Sequence, residues 1–189
     1  SDLRIPTLST IAPHTFDLPD SFSINDNFYI GIDPGVSGGI SCITGTDMVA
    51  TKCPGTIADM SDRLDIIACV ARDTGYKCYA IIESVHSMPG QGVKSCFTFG
   101  QNYGEWLGLL TAHKIPYKQV TPQKWMKLFG AMPKDKKARK NHIKHLAQQR
   151  YPEHRITLAT SDAILIAEYC RHDALSVINN AELMYKNIV

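Results

Sequence analysis

Three acidic residues stand where apolar structure is expected. Asp33 closes the run "FYIGID", Glu83 closes "CYAIIE", and Asp162 falls in the first turn of the apolar segment "SDAILIAEYC". Each has a plain explanation alone: Asp162 could complement a helix dipole and Glu83 could begin a turn. Together they suggest more, because a buried carboxylate without a partner is costly. If the two strands are sheet neighbours, their ends lie about 5 Å apart. A helix N-terminus packed over that edge would bring Asp162 to the same point. Three converging carboxylates cannot all stay ionised without a counter-charge. Such oxygen donors suit Mg²⁺ or Mn²⁺. Two such ions roughly 3.5–4 Å apart are the apparatus of phosphodiester hydrolysis, one activating the attacking water and the other stabilising the leaving 3′-oxygen.

The elements that must position these acids follow from the pattern of apolar residues. Strands are expected near 28–33, 38–43 and 47–52, separated by "PGVSG" and "GTD" turns, as an antiparallel meander. A helix over "TIADMSDRLDIIACVARDTG" should stop at Gly75, and "KCYAIIES" should be a short buried strand. After the glycine-rich "HSMPGQGVKS" come a helix near 95–113, a strand "IPYKQV", and a short helix "TPQKWMKLFG" capped by Thr121 with Pro122 at its first position. A basic helix, "KDKKARKNHIKHLAQQRYP", and a last helix over about 160–187 complete the chain. The order βββαβαβααα predicts an α/β fold: a mixed five-stranded sheet with an antiparallel three-strand meander, parallel strands added through crossovers, and flanking helices.

The chain of 189 residues is expected to form one domain over 27–189, preceded by an extended arm over 1–26 that is broken by Pro6, Pro13 and Pro19. No apolar run approaches the ~20 residues needed to span a bilayer, and the first residues lack a signal-peptide pattern. The six cysteines form no CxxC pair. They predict small buried thiols in a reducing compartment inside the cell.

The net charge of +2 conceals an uneven distribution. Residues 113–150 carry eleven of the twenty lysines and arginines, with Asp135 the only acid. Such a segment reads as a polyanion-facing surface, although a solvated helix has the same composition. Lys118, Lys124, Lys134, Lys136, Lys137, Arg139, Lys140 and Lys144 are expected at phosphates, supplying affinity rather than sequence reading. Lys124 or the Lys136–Lys137 pair could also stabilise transition-state charge. His142 and His145 are expected on the helix surface, not at zinc. Gly100, Gly104 and Gly108 share one stripe of the 95–113 helix, at a propensity cost of ~2–3 kcal/mol. Close approach of another backbone would compensate, either the chain's own sheet or a second subunit.

Four blocks, "IGIDPGVSGGI", "AIIESVHSMPGQGVKSCFTFGQNYG", "VTPQKWMKLFG" and "SDAILIAEYC", in this order and spacing resemble the RuvC-type Holliday junction resolvases of the ribonuclease H-like fold. The segment "VHSMPGQGVKS" is similar to the phage and chloroplast branch. The likeness covers about 28–175. It implies a homodimeric, divalent-metal-dependent endonuclease that nicks two opposed strands of a four-way DNA junction symmetrically, with two Mg²⁺ or Mn²⁺ ions per site and no nucleotide cofactor. Asp33, Glu83 and Asp162 would be its metal ligands. The loop His86–Ser95 would enter the junction centre, with His86, Met88, Gly90, Gln91, Lys94 and Phe97 against DNA and the apolar members wedging between bases.

The pattern breaks at one position. The family adds a fourth acid or histidine one helical turn before the last aspartate, and here that place is Ala159, preceded by Thr157 and Leu158. Either a ligand at 159 has been replaced, which inactivates the chain, or three acids suffice. Non-catalytic junction binding is an alternative that explains Ala159 directly, and a nuclease acting on other branched DNA is another. Actin-like ATPases share the strand–aspartate–glycine opening, but they need a second phosphate loop and an adenosine pocket that this sequence lacks.

Overall fold

The central strand β1 (Phe28–Asp33) is antiparallel to β2 (Gly39–Thr44), and β2 is antiparallel to β3 (Asp47–Lys52). On its other side β1 runs parallel to β4 (Cys78–Glu83), which is parallel to β5 (Tyr117–Val120). The sheet order is therefore β3-β2-β1-β4-β5, the mixed arrangement expected of a meander extended by two crossovers. The computed structural model describes residues 27–84 and 92–186, the last twelve of these in backbone only. The arm expected over 1–26, and His86, Met88, Gly90 and Gln91 of the expected loop, lie outside the described residues.

Five helices among the described residues cover the two faces. Helix α1 (Ile57–Thr74) begins where the Thr56 side chain accepts the Asp59 N–H and ends at Gly75 with φ 75°. This is the left-handed stop that glycine adopts without a Cβ penalty. Helix α2 (Val93–Ala112) lies with α1 on one face, over a core of Phe28, Ile30, Ile32, Leu64, Ile67 and Trp106. The other face carries α3 (Pro122–Met126), α4 (Lys136–Arg150) and α5 (Ser161–Lys186), packed on Tyr29, Ile43, Ile81 and Val120. No described helix is long and apolar enough to cross a membrane, and all six cysteines are free thiols.

Several boundaries differ from expectation for local reasons. Gly38 belongs to the turn rather than to β2: its N–H bonds the Gly35 carbonyl, and a Cβ there would lie 2.0 Å from the Asp33 carbonyl oxygen. The strand expected from 115 starts at Tyr117, after Pro116, whose carbonyl accepts the Ala80 N–H. Thr121 stands at the cap position of α3 with its hydroxyl unused for capping, and the segment after Met126 tightens into a 3₁₀ turn, Lys127–Phe129. Helix α4 starts at Lys136 because the Asp135 carboxylate accepts the Ala138 N–H at 2.7 Å.

The glycine stripe of α2 does not pack on the chain's own sheet. Gly100, Gly104 and Gly108 are exposed, and a Cβ on any of them would meet nothing within 4 Å among the described residues. The close backbone approach occurs elsewhere. A Cβ at Gly31, in the middle of β1, would lie 2.1 Å from the Ala163 carbonyl oxygen and 2.2 Å from the Ala167 nitrogen. Only a glycine lets α5 descend this far onto the central strand, and Ala163 and Ala167 are the small residues that meet it.

Candidate active site

Strand alternation decides which face receives the acids. Phe28, Ile30 and Ile32 fill the α1–α2 side, so Tyr29, Gly31 and Asp33 turn toward α5. In β4 the same alternation carries Tyr79, Ile81 and Glu83 to that side. The parallel register pairs Ile32 with Ile82, and one step further Asp33 and Glu83 leave adjacent strands side by side. Helix α5 starts at the same edge: the Thr160 carbonyl accepts the Ile164 N–H, which places Asp162 in the first turn. Seated low over Gly31, α5 delivers that carboxylate to the ends of β1 and β4.

Two of the three carboxylates hold a lysine, and the third, Glu83, acts on its charge from further away. Lys140, in the second turn of α4, puts its Nζ 2.5 Å from Asp162 Oδ2 and 3.9 Å from Asp33 Oδ2. Glu83 is held from behind by the buried indole of Trp125, whose Nε1 donates to Oε2 at 2.6 Å. Ser161 Oγ donates to Asp162 Oδ1 at 3.3 Å. The turn after Asp33 is tied down by Asn102 of α2, whose Oδ1 accepts the Gly35 N–H at 2.7 Å.

This geometry disfavours charge on two of the acids. Burial, followed by the nearby Asp162 and Glu83 charges, pushes the Asp33 carboxyl up to about 8, against the opposing pull of Lys140. Glu83 is also raised, chiefly by burial and then by Asp162, while the Trp125 hydrogen bond works in the other direction. Burial opposes the charge on Lys140, but Asp162, Asp33 and Glu83 together outweigh it and raise the lysine above its ordinary value.

Among the described residues the donor set suits a hard divalent cation: three carboxyl groups without thiolate or imidazole, more acids than one ammonium balances. The side chains as they stand are folded around that ammonium instead, and no three acidic, histidine or cysteine groups among the described residues form a ready cation cage.

Ala159 lies in the turn before α5, half-buried, with its carbonyl oxygen over Gly39. Gly39 is the residue that Asp33 faces across the β1–β2 ladder. Position 159 thus borders the acidic cluster, and its methyl group offers no ligand.

The residues expected at DNA fall into two groups. Lys94 and Phe97 are exposed on the first turns of α2, and Phe97 keeps 73% of its surface. Lys124, Lys134, Lys136 and Lys137 are exposed, and Lys144 is half-buried. Lys118 and Lys140, by contrast, are engaged by carboxylates of α5, Lys118 with Asp173 at 2.5 Å and Lys140 with Asp162. Arg139 turns back onto the Pro133 and Lys134 carbonyls and shapes the entry to α4. Sequence reasoning named Lys124 and the Lys136–Lys137 pair as the cations nearest the acids; the structure brings Lys140 there. It also passed over Trp125, Asn102 and the exposed Val36 in the turn after Asp33. For Trp125 a signal existed, since a buried indole needs an acceptor.

No protein-family model matches this chain, and no curated protein matches it in sequence. Among solved structures it is similar to Thermus thermophilus RuvC in complex with a Holliday junction substrate, at 13% identity over 76% of this chain and 91% of that one, with a TM-score of 0.49. It is similar to Thermus thermophilus RuvC at 14% identity, over 75% of this chain and 92% of that one, again with a TM-score of 0.49. The yeast mitochondrial Holliday junction resolvase Ydc2 overlaps over 78% of each chain at 14% identity, with a TM-score of 0.38. Likeness at this level leaves the chemistry of this chain to be argued from its own residues.

Proposed function

We propose that the chain is a structure-selective endonuclease that resolves four-way DNA junctions by paired symmetric nicks, hydrolysing phosphodiester bonds with Mg²⁺ or Mn²⁺ at Asp33, Glu83 and Asp162. One observation carries the proposal: carboxyl groups from two strand ends and a helix start lie close enough to act on one another's charge, with the Lys140 ammonium against Asp162 and Asp33. Structural ion pairs need no such surplus of buried carboxyl groups over cations, whereas phosphoryl chemistry on metal ions does. When bound, such ions would supply Lewis acidity for an attacking water and for the leaving 3′-oxygen. The chain's own part is positional. Trp125 orients Glu83, Asn102 fixes the turn after Asp33, and the start of α5 sets Asp162. The lysines of α4 present a phosphate-binding edge beside the cluster, and exposed Phe97 stands on the helix that follows residues 85–91. The four sequence blocks that resemble RuvC-type resolvases point to the same substrate. Two opposed nicks call for two sites, and the exposed Gly100–Gly104–Gly108 stripe is the surface on which a second copy would pack.

Ala159 favours a second reading, a chain that binds junctions without cutting them. A labelled mobile junction incubated with the parent chain and with A159D, in Mg²⁺ or EDTA and with duplex competitor, separates the two. Symmetric Mg²⁺-dependent nicks close to the crossover, present in A159D if not in the parent, are the expected result. Tight junction binding with no nicks from either protein would overturn the nuclease proposal and leave the binding protein.

A further inference from the structure

We propose that the Lys140 ammonium holds the cation position of the acidic cluster, competes there with the divalent ion, and passes to a DNA phosphate when substrate binds. This rests on the nuclease reading and adds to it a means of coupling metal loading to substrate.

The competition follows from the contacts. Lys140 Nζ lies 2.5 Å from Asp162 Oδ2 and also reaches Asp33. A small divalent ion coordinates carboxylate oxygen at about 2.1 Å. An ion on that oxygen and an ammonium in its present place would crowd and repel one another, so one must yield. Removing the lysine side chain without replacement would strand buried negative charge, which is why an ammonium sits there in the absence of a stronger cation.

The release follows from where Lys140 is anchored. Its side chain is 37% exposed, against 7% for Asp162 and 13% for Asp33. The carboxylates are fixed by the sheet and α5, whereas the ammonium rides on a flexible four-carbon stem. Lys136, Lys140 and Lys144 recur at four-residue intervals and form one stripe of α4. A backbone phosphate lying along that stripe is an acceptor for Lys140 within the same helix neighbourhood. Transfer of the ammonium from Asp162 to phosphate frees the carboxylates for the metal. By linkage, DNA then raises metal affinity and metal raises DNA affinity by the same factor.

The test is Mn²⁺ binding, read by the paramagnetic signal of the free ion, to the full chain without DNA. Wild type, K140M, K140R and K77M are compared. K140M is expected to bind Mn²⁺ about tenfold more tightly than wild type, an ordinary coupling between adjoining sites. K140R, which keeps the charge, and K77M, an exposed lysine at the far end of β4 from Glu83, should bind as wild type does. Equal or weaker binding by K140M overturns the competition while leaving the nuclease proposal intact. Absence of Mn²⁺ binding by every form defeats the metal-dependent nuclease itself. If K140M unfolds in EDTA, thermal melting with added Mn²⁺ carries the comparison: its melting temperature should rise more than that of wild type, and an equal rise counts against the proposal. Junction affinity measured in EDTA should fall in K140M, and an unchanged affinity excludes transfer to phosphate.

Discussion

Asp33 sits in a place that does not favour its charge, and this has a measurable sign. Its carboxyl is raised from 3.8 to about 8, first by burial and then by Asp162 and Glu83. An acid whose folded value is raised binds its proton more tightly in the folded chain than in the unfolded one. The resulting stabilisation is complete below 3.8 and is lost as the pH climbs to about 8. Asn at 33 has no proton to lose. In EDTA, the melting temperature of D33N relative to wild type should therefore increase between pH 4 and pH 8 and level off above, by thermal denaturation across that range. A difference that stays constant through the window would mean that Asp33 is not strained. The same variant should abolish Mg²⁺-dependent nicking, so that stability and activity move in opposite directions, as expected where a site holds charge for its chemistry rather than for the fold.

Two glycine patterns separate packing from association at the level of elements. Gly31 is where α5 meets β1, and a methyl there would fall 2.1 Å from backbone. Because the obstacle is main chain, no side-chain rotation relieves it. G31A should cost more than about 3 kcal/mol, the upper range of overpacking penalties, measurable by urea denaturation, and should cost junction cleavage because α5 carries Asp162. The α2 stripe behaves differently. A methyl at Gly104 meets nothing within 4 Å, so G104A in an isolated chain should gain up to about 1 kcal/mol from helix propensity. If the stripe is a subunit contact, G104A should also shift the chain toward monomer in sedimentation at constant concentration. A variant that is more stable and equally dimeric would move the interface elsewhere.

Across the whole molecule, charge is distributed by task. The acidic cluster closes one edge of the sheet, and the lysines of α4 line the approach to it, in a chain whose net charge is only +2. Binding to junction DNA should therefore depend steeply on salt, because each neutralised phosphate releases counterions. Replacing exposed Lys136 and Lys137 by alanine should reduce the slope of log affinity against log salt by about 0.9 for each phosphate that is no longer neutralised, without altering the position of nicks. A slope indifferent to both substitutions would place the DNA on another face.

Much of this architecture is legible in the chain alone, because it depends on neighbours a few residues apart. Alternation in "FYIGID" and "CYAIIE" assigns the strands, Thr56 and Gly75 bound the first helix, and Asp33, Glu83 and Asp162 stand out as acids in apolar settings. The partners of those acids are a different matter. Lys140 belongs to a run of similar lysines, and only the crossing of α4 over α5 selects it for the carboxylates. Gly31 and the α2 glycines look alike in sequence, yet one lies beneath a helix and the others face open space. Local order follows from short-range sterics and apolar periodicity, which residue types encode. Contact between distant side chains depends on how whole elements are stacked, and nothing in the spacing of one element specifies which residue of another will reach it.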